Sequence, residues 1–159
     1  MRTNRVNFAM ALVGMSFTRD ASQAQLPEFN KEALTRSFIF ERASVDEDKR
    51  TVELSFSSEV EVERWFGYEV LDHSAGAMRM DRIIGGSLLI NHDWDDQVGV
   101  VESVRVDADK KGRAVVRFGR SPRAEEIFQD VKDRIRKQVS VGYRVLGAKL
   151  KETREDGDV

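Results

Sequence analysis

Hydrophobic and polar residues alternate along several stretches of the chain, a pattern typical of β-strands with one buried face. The alternation is cleanest at residues 51–57, and residues 38–41 alternate more briefly. We predict that these two stretches pair as a hairpin around the polar residues 46–49. A second hairpin is predicted from strands at residues 98–106 and 114–118. Three further strands are predicted at residues 65–71, 88–90 and 139–146.

One segment has the 3.6-residue period of an amphipathic helix. Ser121 is a good N-cap, Pro122 suits the first helical position, and Glu125 favours the positive end of the helix dipole. The apolar stripe that this helix would bury consists of Ala124, Ile127, Phe128, Val131 and Ile135. A shorter helix is predicted at residues 78–84, so strands and helices together indicate an α+β fold.

Composition narrows the class of protein. The chain has 159 residues, enough for one domain with a sizeable core. Its 26 basic and 28 acidic residues argue against nucleic-acid binding, and the basic residues within 132–137 are interpreted as complementing the helix dipole. The absence of cysteine excludes disulfides and thiolate chemistry. No apolar run approaches the roughly 20 residues that span a bilayer, so no membrane association is predicted. Nothing in the sequence indicates a cofactor.

Residues 1–34 differ from the rest of the chain because they are rich in small and amide side chains and have no sustained period. We predict that they form a flexible N-terminal arm or a removable leader, followed by one domain at residues 35–159. Arg19 and Asp20 argue against a secretory signal. Near the end, Asp156 and Gly157 form a hairpin-turn signal with no returning strand, which predicts that the domain is truncated.

A single histidine follows a short apolar strand. Residues 88–90 run directly into Asn91, His92 and Asp93, so the imidazole is expected at a sheet edge or cleft. Histidine has the side-chain pKa nearest to neutral pH, which makes His92 a natural general base. The alternative is a partly buried histidine that only forms local hydrogen bonds.

The last predicted strand has one small, polar face, made of Ser140, Gly142 and Arg144. A serine beside a glycine can meet a substrate, but it is a weak nucleophile unless a base adjoins it. Arg144 could stabilise negative charge nearby. The alternative is a half-exposed strand with a polar outer face.

A catalytic serine and histidine also need a group that orients the imidazole. Glu102 lies on an otherwise apolar strand face and is the best acid candidate, followed by Asp107 and Asp93. His73 is interpreted as a loop histidine and the acidic cluster at residues 93–96 as a solvated turn. A weaker alternative is a metal-dependent hydrolase whose ligands would be His73, His92, Asp93, Asp95 and Asp96.

Four motifs carry a family resemblance: WFGYEVL at 65–71, LLINHD at 88–93, VGVV at 98–101 and VSVGY at 139–143. Asn-His-Asp after the apolar strand and Ser-Val-Gly-Tyr after the long helix are specific in combination. Over residues 37–145 the chain resembles the prohead (procapsid) maturation protease family of tailed bacteriophages. The resemblance implies a fold similar to the herpesvirus assembly protease (assemblin): a small, mostly antiparallel β-barrel with one long amphipathic helix and short flanking helices. It also implies that Ser140 is the nucleophile and His92 the general base of a serine endopeptidase. Backbone amides near Gly142 would then receive the oxyanion.

The resemblance further implies a role in capsid maturation. Such a protease cleaves scaffold and capsid-protein segments, and itself, inside the assembling procapsid in the host cytoplasm. Its partners would be the major capsid protein and the scaffold; a homo-oligomer is left open. Family members usually continue past the Asp-Gly turn, and that continuation is missing after Val159. The alternative function is a non-enzymatic β-barrel module for scaffolding or capsid binding.

Overall fold

The computed structural model describes residues 8–11, 34–39, 44–64, 67–145 and 148. These residues form ten β-strands and one α-helix, with a 3-10 helix at Met80–Arg82. The elements are β1 Phe8–Ala11, β2 Leu34–Ile39, β3 Ser44–Asp46, β4 Thr51–Ser58, β5 Val62–Arg64, β6 Gly67–Glu69, β7 Ser87–Ile90, β8 Asp93–Val106, β9 Lys111–Phe118, α1 Pro122–Lys132 and β10 Gln138–Tyr143.

Eight of the strands form one sheet in the order β2-β10-β1-β7-β8-β9-β4-β3. All of its ladders are antiparallel except the one between β1 and β10, which is parallel. β5 and β6 form a separate two-stranded ladder. The predicted α+β class with a mostly antiparallel sheet is therefore confirmed.

The sheet curves so strongly that strands distant in the ladder order face each other. β2 and β10 lie against β4, although several strands separate them in the sheet. Arg36 on β2 donates hydrogen bonds to the carbonyl oxygens of Ser58 and Val60, at and just beyond the end of β4. Among the described strands, however, no ladder joins the two edge strands β2 and β3. The predicted closed barrel and the likeness to the herpesvirus protease are therefore not shown.

The helix forms as its sequence predicts and packs against β8 and β9. The Ser121 hydroxyl accepts a hydrogen bond from the amide of Ala124, and the buried face includes Phe128, whose ring lies 5.2 Å from that of Phe118. The helix ends at Lys132, and Arg134 has a φ of +58°. Assigning Ile135 to the buried stripe was wrong. The chain has left the helix before that position, so the side chain is 70% exposed.

One predicted hairpin is confirmed and the other is wrong. β8 and β9 pair antiparallel across the turn at residues 107–110. β4, in contrast, pairs with β3, while β2 lies at the opposite edge of the sheet and pairs with β10. Alternation of hydrophobic and polar residues predicts that a strand has a buried face, but it does not indicate which strand it pairs with. Residues 40–41 of the predicted hairpin lie outside the described residues.

Part of the predicted N-terminal arm lies within the sheet. Phe8–Ala11 forms β1 between β10 and β7, and Leu34 begins β2. The predicted Asp-Gly turn lies outside the described residues. The removable leader and the truncated domain therefore stay predictions.

The predicted strand at residues 65–71 is shorter in the structure. β6 covers Gly67–Glu69 and pairs with β5, while residues 65–66 lie outside the described part. The helix predicted at residues 78–84 is a single 3-10 turn that ends at Arg82 with Ile83 as its C-cap, and Gly85 beyond it has a φ of +80°. Within the described ranges, no helix has the length and apolar character needed to cross a membrane.

Candidate active site

His92 occupies a two-residue turn between β7 and β8. Ile90 and Asp93 pair across the turn, and Asn91 and His92 have φ values of +52° and +61°. Positive φ at both central positions is characteristic of type I′ hairpin turns, and Asn and His tolerate it better than most other side chains. The turn holds His92 at the tip of the hairpin, where the residue stays exposed to solvent.

Ser140 lies in the middle of β10, which has β2 on one side and β1 on the other. As the alternation predicts, Val139, Val141 and Tyr143 are buried in the core, so Ser140 projects from the opposite face of the strand. Ser140 is nevertheless only 3% exposed.

The turn and the strand bring these two side chains together. His92 Nε2 lies 3.0 Å from Ser140 Oγ, although the residues are 48 positions apart in the chain. The ring also lies over Gly142, where an added Cβ would sit 3.8 Å from His92 Cε1. Because imidazole and hydroxyl share a hydrogen bond, the base is placed to take the hydroxyl proton.

Partial burial of the imidazole lowers the pKa of His92 from its ordinary value of 6.5. The neutral imidazole is the form that accepts a proton. The lowered pKa therefore keeps His92 in the form of a general base at neutral pH.

The structure does not bring Glu102 to this pair. The Glu102 carboxylate accepts a hydrogen bond from Arg117 in a surface ion pair. His92 directly precedes β8 and Glu102 lies within it, and the nine steps from Asp93 to Glu102 (102 − 93) cover roughly 30 Å of extended chain. The geometry therefore gives no support to the prediction that Glu102 orients His92.

A β-bulge accounts for the position of this acid on an apolar stripe. The register of β8 with β9 shifts between Val101 and Ser103, which leaves Glu102 as the extra residue. An extra residue interrupts the alternation of faces, so Glu102 turns to solvent while Val101 stays buried.

The other acid candidates do not contact His92 either. Asp107 accepts hydrogen bonds from Arg105 and Arg113, and Asp93 accepts one from the amide of Asp95. In the part of the chain that the structure describes, no hydrogen bond reaches His92 Nδ1. A third member of the site is therefore not found among these residues.

The acidic turn after His92 does not form a metal centre in the described ranges. Asp96 is bound by Arg123 at 2.9 Å, and no group of three or more potential metal ligands comes together there. Both ring nitrogens of His73 bind elsewhere, to Leu71 and Ser57.

Comparison with protein-family models matches residues 67–159 to the Caudovirus prohead serine proteases. The match covers more than half of the chain and includes both His92 and Ser140. The chain belongs to this family. The family resemblance carried by the sequence motifs is thereby confirmed.

One curated relative of this prohead serine protease family member is named major capsid protein and comes from Halomonas phage phiHAP-1. The two are 46% identical over 110 residues, which is 67% of this chain and 18% of the relative. The chain thus spans less than a fifth of the length of the relative that it matches. No solved structure matches the chain.

The described part of the chain also contains a second serine–histidine pair, which the sequence did not reveal. His73 Nε2 lies 2.8 Å from Ser57 Oγ, and His73 Nδ1 lies 3.1 Å from the carbonyl oxygen of Leu71. A carbonyl only accepts, so Nδ1 carries the proton and Nε2 accepts from the Ser57 hydroxyl. His73 does lie in a loop, as interpreted from the sequence, but the loop is packed inward and His73 is 3% exposed.

This second pair has the environment of a structural contact. Ser57 is 1% exposed, and burial lowers the pKa of His73 even though a Glu59 carboxylate oxygen lies 3.9 Å from Nδ1. Ser57 also precedes the residues matched by the family. The pair therefore ties the loop to β4 and is not the better candidate for catalysis.

A buried polar cluster anchors the strand that carries Ser140. The Tyr143 hydroxyl donates to the Glu69 carboxylate, which also accepts from Arg36 at 3.0 Å. Arg64 donates to Glu69 at 3.2 Å and to the Tyr143 oxygen at 2.9 Å. Burial and the hydrogen bond to Glu69 raise the pKa of Tyr143 to about 12, so the hydroxyl keeps its proton. No sequence signal links Arg36 and Glu69, which are 33 positions apart.

Proposed function

We propose that this chain is a serine endopeptidase of phage capsid maturation, with Ser140 as nucleophile and His92 as general base. The observation that carries the proposal is the 3.0 Å hydrogen bond between His92 Nε2 and Ser140 Oγ in a member of the prohead serine protease family. Exposure of His92 to solvent favours this pair over the buried Ser57–His73 pair.

The chemistry is acyl transfer. Ser140 Oγ attacks the carbonyl carbon of the scissile peptide bond while His92 Nε2 takes the hydroxyl proton. His92 then gives this proton to the leaving amine, and the acyl group remains as an ester on Ser140. A water that loses a proton to His92 hydrolyses the ester, and the proton returns to Ser140 as the new carboxyl terminus leaves.

We propose a source of oxyanion stabilisation other than the backbone amides expected near Gly142. β10 is paired on both sides, and Gly142 lies opposite Ala11 and Thr35. Backbone amides of a doubly paired strand lie in the plane of the sheet, so they do not point toward the Ser140 side chain. Arg144 follows the last residue of β10 and is exposed, so we assign the stabilising positive charge to its guanidinium.

Access to the nucleophile requires movement. Because Ser140 is 3% exposed, a peptide carbonyl reaches Oγ only after the groups that cover the serine shift. Conformational gating of this kind commonly limits the rate of an enzyme. We therefore expect the chain by itself to react slowly with substrates and probes.

The proposed substrates are capsid-protein and scaffold segments, including segments of the protease's own polypeptide. The family is named for proheads, and the Halomonas phage relative that contains a matching region is named major capsid protein. A protease made together with capsid protein would act inside the procapsid, where its substrate is concentrated.

The test uses a fluorophosphonate probe, which forms a covalent bond with an activated serine. We expect the chain to be labelled at Ser140, and both Ser140→Ala and His92→Ala to abolish labelling. Ser57→Ala is the matched control, because it removes the other histidine-bonded serine and leaves the site intact. Cleavage of a co-expressed capsid precursor, followed by mass spectrometry, should show the same dependence. Labelling or cleavage that persists in Ser140→Ala would reject the assignment.

A non-enzymatic capsid-binding module is the second candidate. The low exposure of Ser140 and the name of the relative favour it. In that case the wild-type chain would co-sediment with capsid protein, and Ser140→Ala would leave both binding and the capsid protein's length unchanged.

A further inference from the structure

The two strands that lead to His92 and Ser140 are not neighbours in the sheet. Ser140 lies on β10 and His92 follows β7, and β1 lies between these strands. β1 pairs parallel with β10 and antiparallel with β7. The contact between the two side chains therefore spans a strand that comes from the N-terminal part of the chain.

The register shows how closely β1 couples the two halves of the site. Ala9 lies opposite Ser140 on one side and Leu89 on the other. Phe8 lies opposite Val139 and also opposite Ile90, the last residue of β7 before the turn that holds His92. Phe8 and Ala9 on β1 thus fix the register of β10 and of β7 at the same time.

We infer that β1 is a positioning element of the candidate site, without which Ser140 and His92 do not meet. Neighbouring strands lie about 4.8 Å apart, so β10 and β7 are roughly 9.6 Å apart across β1. Without β1, either the gap stays open with two unpaired edges or the strands move together by about 4.8 Å. A hydrogen bond of 3.0 Å does not survive a shift of that size.

A positioning role for β1 limits which N-terminal residues can be removed without loss of the site. A leader that ended before Phe8 could leave without changing β1, whereas removal of residues 1–11 would take β1 away. A cut at residues 12–33 would leave β1 attached by its ladders alone. Release of such a strand would then stop the protease after it had acted on its own chain.

The experiment compares three chains: one lacking residues 1–11, one with Ala9→Pro and one with Ala9→Ser. Proline lacks the amide hydrogen that a strand paired on both sides needs, whereas serine keeps it, so Ala9→Ser is the matched control. The first measurement is hydrogen exchange of the amides in β7 and β10, read by mass spectrometry. This measurement does not depend on catalysis.

The second measurement is the rate of fluorophosphonate labelling at Ser140, which rests on the proposed function. We expect the deletion and Ala9→Pro to speed exchange in β7 and β10 and to slow labelling by about 100-fold or more, because small misplacements of reacting groups cost that much. Ala9→Ser should behave as the unchanged chain does.

A synthetic peptide of residues 4–13 completes the test. Added to the chain that lacks residues 1–11, it should restore slow exchange and labelling, and the same peptide with proline at position 9 should not. This rescue also separates loss of β1 from general misfolding.

Unchanged exchange and full labelling in the deleted chain would overturn the role of β1 while leaving the proposed function standing. Faster exchange in the variants, together with no labelling of the unchanged chain, would support β1 and reject the proposed function. The two failures are therefore distinguishable.

Discussion

His73 Nε2 lies 2.8 Å from Ser57 Oγ, closer than His92 Nε2 lies to Ser140 Oγ. The shorter contact is the buried one, and its second ring nitrogen is held by the Leu71 carbonyl. A serine–histidine hydrogen bond is therefore not by itself evidence of catalysis. Solvent exposure of the imidazole and the position of both residues in the family match distinguish His92 and Ser140.

The buried histidine should make the fold sensitive to acid. Burial holds the pKa of His73 below the ordinary value of 6.5, so the unfolded chain binds a proton more readily than the folded chain. The stabilising contribution is complete above pH 6.5 and is lost as the pH falls from that value through the folded pKa. Urea unfolding at a series of pH values should show this loss, and His73→Gln should reduce the dependence. An equal dependence in both chains would contradict the assignment.

The reactivity of Ser140 should depend on the charge of His92. Burial lowers the pKa of His92 below 6.5, and the neutral ring is the base, so labelling should be maximal at neutral pH and fall only below pH 6.5. The measurement is the labelling rate with a fluorophosphonate against pH, with circular dichroism at each point to separate acid unfolding. A midpoint above pH 6.5 would show that a different group controls the reaction.

The buried cluster of Arg36, Glu69 and Tyr143 should lose more folding stability when a charge is removed than when a hydroxyl is removed. Side chains of Arg36 and Glu69 are 3% and 6% exposed, so Glu69→Gln leaves a buried guanidinium without its counter-charge and should cost roughly 3–5 kcal/mol. Tyr143→Phe removes the hydrogen bond donated to Glu69 and the one accepted from Arg64, while Arg36 and Arg64 still hold Glu69, and should cost about 1–2 kcal/mol. Denaturant unfolding measures both, and equal costs would refute this account.

Substitutions of Gly142 should show how close the His92 imidazole lies to β10. An alanine Cβ would sit 3.8 Å from His92 Cε1, an ordinary contact, so Gly142→Ala should keep the labelling rate within about tenfold. The branched side chain of Gly142→Val reaches further, displaces the ring and should slow labelling by about 100-fold. A valine variant as reactive as wild type would mean that the ring does not lie there when Ser140 reacts.

Glu102 should not behave as a member of the site. Because its carboxylate is bound by Arg117 on the surface, Glu102→Gln should change the labelling rate by less than about tenfold. A group that orients a catalytic imidazole would instead cost on the order of 10³–10⁴-fold when replaced. A loss of that size would restore the sequence-based prediction.

Local pattern was sufficient to predict much of the fold. The N-cap at Ser121 and the stripe that includes Phe128 predicted α1, and the alternation around Ser140 predicted that Val139, Val141 and Tyr143 face the core, although not that Ser140 is buried as well. These features depend on neighbours within a few positions, where side-chain period and capping act directly. The motifs around His92 and Ser140 likewise predicted the family.

Strand partners and the third group of the site could not be predicted in the same way. Backbone ladders form between any two extended segments, so alternation carries no information on whether β2 pairs with β4 or with β10. A bulge of one residue turned Glu102 outward, and the pattern of side chains gave no sign of it beyond an acid on an apolar face.

The sequence by itself determined the α+β class, the family and the two residues on which the proposed chemistry depends. Only the tertiary structure decided that β1 from the N-terminal part lies between the strands of His92 and Ser140, and that Arg36, Glu69 and Tyr143 share one buried cluster. The physical reason is distance along the chain. Local propensities act over a few residues, whereas these contacts join segments tens of residues apart and form only when the curved sheet assembles.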